Sequence, residues 1–260
     1  MVFNTCAGKS PPPVRPRGPR DWRKPVLCFF GGKMSSPRRT SVYIDGLNLY
    51  YGLLKGTPFK WLDLKAMVSS VLPQEKNKHY QINSLKYFTT KVKEFPGNPG
   101  TAFRQKIYLR ALQFMIPELT AYYGHFLVNT MIRPLVKPIT SDDGKEIRFV
   151  YVYHPQEKGS DVNLAVHLVN DALLDKYDWA VAVTNDSDLS EAFRLVKERG
   201  KHIFLIPTFS RTGPNVMRKP TPNLLRYTDR FRLVKTSTLK KCQLPEVIPG
   251  TNIHRPAEWK

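Results

Sequence analysis

Long apolar runs, acidic residues and cysteines are what this 260-residue chain has least of. The one apolar run near its start, Val26 to Phe30, is too short for a signal-peptide core or a membrane span, and no other stretch reaches transmembrane length. No membrane partner is therefore expected. Three thiols, Cys6, Cys28 and Cys242, are too scattered for a disulfide framework or a CxxC metal motif, which points to a reducing, cytoplasmic setting. The six histidines show no HExxH or Cys/His grouping, so a zinc site is not expected, and His167 and His202 read as packed residues. There are no internal repeats. Nor does a GxGxxG follow the first predicted strand, or a second acid stand two residues after Asp45, where Leu47 lies. Those two absences set aside a nicotinamide enzyme and a phosphatase with an aspartyl nucleophile.

The shortage of acids is itself informative. Lys and Arg number 41 against 21 Asp and Glu, a net charge of +20 with a pI near 9.9, which suits a polyanionic partner, nucleic acid first and an acidic membrane surface second. The excess sits at the two ends: residues 1 to 40 hold nine basic residues and one acid, and residues 201 to 260 hold twelve and three. A nearly balanced core lies between them. Residues 1–40, rich in Pro and Arg with no periodic apolar pattern, are expected to be a disordered basic extension. Met34 opens the compact lead into the first strand, so the residues before it are either a native arm or the product of an upstream start. The expected organisation is one catalytic-sized α/β domain over 41–210 and a basic C-terminal extension, 211–260, packing on it.

Within that domain, strand and helix signals alternate. Val42 to Ile44 predicts a buried strand, with Gly46 turning the chain behind Asp45. Leu47 to Leu54 predicts a short helix ended by Gly56 and Pro58, and Trp61 to Leu72 a second ended by Pro73. Ser84 to Lys91 and Tyr122 to Val128 read as strands, and Arg104 to Phe114 as a helix. The Pro-punctuated stretch Arg133 to Lys145, with its Asp143-Gly144 turn signal, precedes an aromatic and β-branched run, Ile147 to Tyr153. Asp161 to Leu174 predicts a helix on the spacing of Val162, Ala165, Val166, Val169, Ala172 and Leu173. Trp179 to Val183 reads as a buried strand, Asp188 to Arg199 as a helix with Leu189, Ala192, Phe193 and Val196 inward, and His202 to Ile206 as the last strand. The pattern predicts an α/β fold with a mainly parallel central sheet and helices on both faces.

Four acids occupy element ends in this reading. Asp45 ends one buried strand, Asp186 and Asp188 follow another, and Asp161 opens the intervening helix. Neighbouring parallel strands would bring all four to one edge, where like charges repel by about 4 kcal/mol at 4 Å and an effective dielectric of 20. Such a cluster persists when protons or a hard cation neutralise it, and Mg²⁺ or Mn²⁺ is the natural occupant. Three of the acids also have an ordinary structural explanation: Asp45 as a helix N-cap, Asp161 as a complement to a helix dipole, Asp188 with Glu191 as a capping box. Asp186, which precedes the cap and directly follows a hydrophobic strand, is harder to explain in that way. Asn48 could equally satisfy turn backbone. Thr184 and Ser187 flank the acids, and Lys158 is a candidate phosphate contact. Arg211, Arg218, Lys219, Arg226, Arg230 and Arg232, interleaved with Tyr227 and Phe231, could guide a single strand by phosphate contacts and stacking.

At these residues the sequence resembles the NYN domain family of PIN-like nucleases, and within it the bacterial LabA-like subgroup. The resemblance runs through VYIDGLNLYYGLLKGTPFKWLDL, LKYFTTKV, RQKIYLRAL, EKGSDVNLAVHLVNDA and YDWAVAVTNDSDLSEAFRLVKERGKHIFLIP, roughly residues 41 to 235. It implies a Rossmann-like PIN-type fold and metal-dependent RNA hydrolysis at an acidic pocket. It assigns Asp45 and Asn48 to a DGxN element, Asp161 to the acid of KGSDV, and Asp186 and Asp188 to NDSD. The expected activity is a Mg²⁺- or Mn²⁺-dependent ribonuclease in which Asp45, Asp161, Asp186 and Asp188 are metal-holding catalytic residues and Asn48 orients Asp45 or contacts phosphate. Lys158, Thr184, Ser187 and Arg211 are expected to bind substrate, single-stranded RNA. The sequence leaves open a homo-oligomer, a non-catalytic RNA-binding or regulatory protein, and a metal-dependent DNase or nucleotide phosphohydrolase.

Overall fold

In a computed structural model that describes residues 37–74, 79–94, 99–209 and 219–259, strand β1 (Arg38–Asp45) lies at the centre of a seven-stranded sheet. Its β-branched and aromatic middle, Val42, Tyr43 and Ile44, has no exposed surface. On one side it pairs with β2 (Tyr80–Thr90) and through it with β3 (Leu119–Thr140). On the other it pairs with β5 (Trp179–Val183), then β6 (His202–Ile206) and β7 (Arg230–Phe231). All these pairs are parallel. Strand order runs β4-β3-β2-β1-β5-β6-β7, so the chain reverses its direction of sheet growth between β1 and β5. In open α/β sheets the crevice at that reversal, beyond the carboxyl ends of the strands, is where ligands bind.

Alternating residues of the central strands feed two cores. Val42, Ile44, Val181, Val183, Phe204 and Ile206 face one, and Tyr43, Ala180, Ala182, Ile203 and Leu205 the other. The first is covered by α2 (Leu64–Val71), α3 (Thr101–Met115), α7 (Thr236–Lys241) and the turn of π-helix Tyr50–Leu54 that continues α1 (Gly46–Leu49). The second is covered by α4 (Ser160–Leu173), α5 (Ser190–Glu198) and α6 (Pro222–Leu225). The fold is thus α/β with a mostly parallel sheet and helices on both faces. The sheet runs past the expected boundary at residue 210, and Val234, Leu239, Leu244, Ile248 and Ile253 from the basic C-terminal segment lie in the first core. Cys242 is buried and free, whereas Cys6, Cys28 and the expected disordered segment fall outside the described residues.

Two expectations about the elements are corrected, and one unassigned stretch is settled. The predicted helix from Trp61 begins only at Leu64, because Asp63 caps it through Ala66 N–H (2.9 Å) while Leu62 bridges Gln243 in extended backbone. The stretch Arg133 to Lys145, which reads only as Pro-punctuated with a turn signal at Asp143-Gly144, belongs to a β-hairpin. β3 leaves the sheet after Gly124 and forms an antiparallel hairpin with β4 (Glu146–Lys158), turning at Gly144 with φ 80°. Pro134 and Pro138 read as breaks, yet a solvated two-stranded ribbon tolerates residues without an N–H at an edge or irregularity, and the register shifts between Pro134 and Ile139. Lastly, α4 is rotated from the predicted face: Leu164, Leu168, Asp171 and Ala172 are buried, while Val162, Val166 and Leu173 are each more than half exposed.

Candidate metal centre

The geometry of the reversal point follows from strand register. Ile44 pairs with Val183, so Asp45 and the loop after β5 emerge side by side. The third contribution comes from the hairpin, whose last pair, His125 with Lys158, returns the chain to the sheet edge directly before α4. Gly159, at φ 93°, makes the left-handed turn that opens this helix, and Glu157 Oε1 accepts Ser160 N–H at 2.9 Å in place of a capping side chain from Gly159. As a result Asp45, Asp161 and Asp186 each place a carboxylate oxygen within 4.8 Å of the others.

Hydrogen bonds fix this group from below. Asp45 Oδ1 accepts Asn48 N–H at 2.9 Å, and its Oδ2 accepts the buried Thr184 hydroxyl at 3.2 Å. Thr184 Oγ1 in turn accepts Asp186 N–H at 3.1 Å, so one hydroxyl ties both strand tips. Asn48 Oδ1 accepts Asn185 N–H at 3.1 Å and the Thr208 hydroxyl, stapling the ends of β1, β5 and β6. Its backbone, rather than its side chain, holds Asp45. Gly46 is required by space: a Cβ there would lie 2.7 Å from Phe88 O and from the Tyr87 ring, and its φ is not positive.

Asp188 stands apart from the three. A turn of 3₁₀ helix, Ser187–Leu189, is capped by Asp186, whose Oδ1 accepts Asp188 N–H at 3.0 Å, and this swings Asp188 to the exposed rim. Asp186 is therefore the cap, and no capping box forms with Glu191, which pairs with Arg194. Ser187 is half-buried in the same turn, and Lys158 is exposed at the end of β4. Arg211 and Arg218 lie outside the described residues. Arg232 donates to Val71 O at 3.1 Å, Tyr227 packs on the second core, and Phe231 is 48% exposed. Sequence reasoning missed Glu157, Asn185 and Thr208. The acid three residues before Ser160 was a visible capping signal, but nothing local to Thr208 announces its partner 160 positions away.

Electrostatics set this group apart. Asp45 is 3% exposed, and burial, reinforced by the charges of Asp161 and Asp186 against its hydrogen bonds, pushes its carboxyl up to about 7. Burial, then Asp186, Glu157 and Asp188, pushes Asp161 up to about 6. Among the described residues no Lys, Arg or His forms an ion pair with any of the three. Ser160 Oγ, beside Asp161, is buried without a hydrogen-bond partner among them. An all-carboxylate donor set facing a gap in positive charge fits a hard divalent ion.

The chain is 34% identical over 245 residues to 6-hydroxy-3-succinoylpyridine 3-monooxygenase HspA of Pseudomonas putida (strain DSM 28022 / S16), a match covering 86% of this chain and 76% of that protein. A crystal structure of a protein of unknown function from Vibrio parahaemolyticus RIMD 2210633 aligns over 78% of this chain and 96% of that one, at 14% identity and a TM-score of 0.45. The NYN domain family matches residues 39–231, a span that holds every strand of the sheet, save the first residue of β1, and all three converging acids. This chain belongs to the NYN domain family.

Proposed function

We propose that the protein is a Mg²⁺- or Mn²⁺-dependent ribonuclease hydrolysing phosphodiester bonds at the three-aspartate group. The observation that carries this reading is the convergence of Asp45, Asp161 and Asp186 with no cationic partner among the described residues, in a member of a family implied to be PIN-like nucleases. These residues would hold the ion. When bound, it supplies positive charge to a phosphodiester oxygen and lowers the pKa of a bound water. Thr184 keeps Asp45 and Asp186 in register, and Asn48 keeps the three strand tips from spreading. Asp188 adds negative charge at the rim and is the candidate for a further contact to cation or leaving group. Lys158 and Ser187 flank the group as phosphate contacts, and the net charge of +20 favours an RNA strand reaching it.

A second reading is carried by the 34% identity to a monooxygenase. In it the chain would transfer one oxygen atom of O₂ to the ring of 6-hydroxy-3-succinoylpyridine, the other leaving as water with two electrons and two protons from an external reductant. Labelled single-stranded RNA and DNA of one sequence, each with Mn²⁺ or Mg²⁺ and with EDTA, test the first reading. RNA cleavage lost in EDTA supports it. Intact RNA under every metal condition, with oxygen uptake on 6-hydroxy-3-succinoylpyridine in the presence of a two-electron reductant, would replace it with the second.

A further inference from the structure

Beside the acid group lies a cavity of about 600 Å³, within the range of small-ligand pockets, whose lining the metal reading does not use. It opens at the same sheet edge, since Tyr87 and Thr89 of β2 and Gly46, the residue after Asp45, form part of its wall. Glu157, whose charge acts on Asp161, forms another part. The remaining walls are aromatic and basic. Tyr50 and Tyr51 meet edge to face with centroids 5.2 Å apart, Trp259 closes the far side against Tyr108 at 5.8 Å, and Lys55 Nζ lies 4.9 Å from the Tyr51 ring. Lys60, Lys93 and Arg104 add charge, and Arg104 holds Glu258 at 3.2 Å, which anchors the segment carrying Trp259.

Flat aromatic walls recognise a flat ring, and basic side chains at the rim recognise an anion attached to it. A nucleotide has both, and here its phosphate could meet the acid-bound cation while its base enters the cavity. We propose that this cavity seats the base of the nucleotide next to the cleaved phosphate, with Tyr51 as its stacking platform and Lys55 and Lys60 as contacts for the backbone. The inference rests on the ribonuclease reading, which makes the neighbouring phosphate the reacting one. A base seat of this kind stacks any base and so gives weak sequence preference. Tyr51 is 59% exposed, so its replacement leaves the core intact.

The test is calorimetric binding to the full chain in EDTA, where no cleavage interferes, with uridine 5′-monophosphate, adenosine 5′-monophosphate, ribose 5-phosphate and 6-hydroxynicotinate as probes. Both nucleotides are expected to bind roughly tenfold or more tighter than ribose 5-phosphate, with that advantage lost in Tyr51→Ala and restored in Tyr51→Phe. Equal binding of ribose 5-phosphate, or an unchanged Tyr51→Ala, overturns the base seat whatever the cleavage assay shows. Tighter binding of 6-hydroxynicotinate than of either nucleotide overturns it too, in favour of a free heteroaromatic acid. Nucleotide preference without RNA cleavage would leave the ring seat and defeat only its placement beside a cleaved phosphate.

Discussion

Helix α4 carries an acid at each end, and the two live in opposite surroundings. Asp161, in its first turn, faces Asp45 and Asp186 and has no cationic partner among the described residues. Asp171, in its last turn, is 1% exposed, accepts the Tyr43 hydroxyl at 2.7 Å, and pairs with Lys86 and, at 3.2 Å, with Lys176. Burial pushes both carboxyls up. At Asp171 the hydrogen bonds from Lys86 and Tyr43 outweigh burial and its carboxyl falls below the usual range, whereas at Asp161 neighbouring acids add to burial. One end of the helix is electrostatically closed and holds the sheet to the helix. The other is open and calls for a cation. On partners alone, the contrast separates an acid held by cations from one that has none among the described residues.

The largest effect expected from breaking this contrast is on catalysis. Asp161→Asn should lower kcat/KM for RNA cleavage on the order of a thousandfold with unchanged circular dichroism, whereas Asp171→Asn should lower stability and leave the rate per folded molecule nearly intact. Comparable rates for the two variants would erase the distinction. Next comes Lys86→Met, which leaves Asp171 short of a buried partner. It should cost about 3 kcal/mol, read as a melting temperature lower by on the order of 10 °C.

Acidity sharpens the same comparison. Asp45 rises from 3.8 to about 7 on folding, so its contribution to stability is complete below pH 4 and is lost as pH climbs towards 7. Metal-free protein should therefore lose roughly 2 to 3 kcal/mol in urea unfolding between pH 5 and pH 8, a slope that Asp45→Asn flattens and Mn²⁺ opposes. Asp171 has the opposite sign. Its carboxyl is lowered in the folded state, so its contribution is present above pH 4 and fades only in stronger acid, where Asp171→Asn should flatten the curve instead. The smallest effect expected is that of Thr184→Val, which removes the hydroxyl between Asp45 and Asp186. It should weaken Mn²⁺ affinity about tenfold while leaving the fold intact.

How far the sequence reveals this depends on how local each signal is. β1, β5, β6 and α5 are legible because buried strands are short apolar runs and α5 has a single apolar stripe at Ala192, Phe193 and Val196. From adjacent strands the approach of Asp45 and Asp186 follows directly. The hairpin was hidden by Pro134 and Pro138, which suggest a break and occupy a solvated ribbon instead. The buried face of α4 was hidden by Asp171, an acid in a core stripe whose partner Lys86 lies 85 residues away on β2. The cavity could not be read at all, because its walls come from α1 and its π turn, α3, β2, the β3–β4 hairpin and the C-terminal segment around Trp259, which only tertiary packing brings together.

The most direct test of the open end of α4 is a Mn²⁺ titration followed by electron paramagnetic resonance at pH 8. Wild-type protein and Asp171→Asn should both remove the free-ion signal, and Asp161→Asn and Asp186→Asn should not. A wild-type protein that leaves the free Mn²⁺ signal unchanged, or an Asp186→Asn variant that binds as well as wild type, would contradict the assignment of the three-aspartate group as a metal centre.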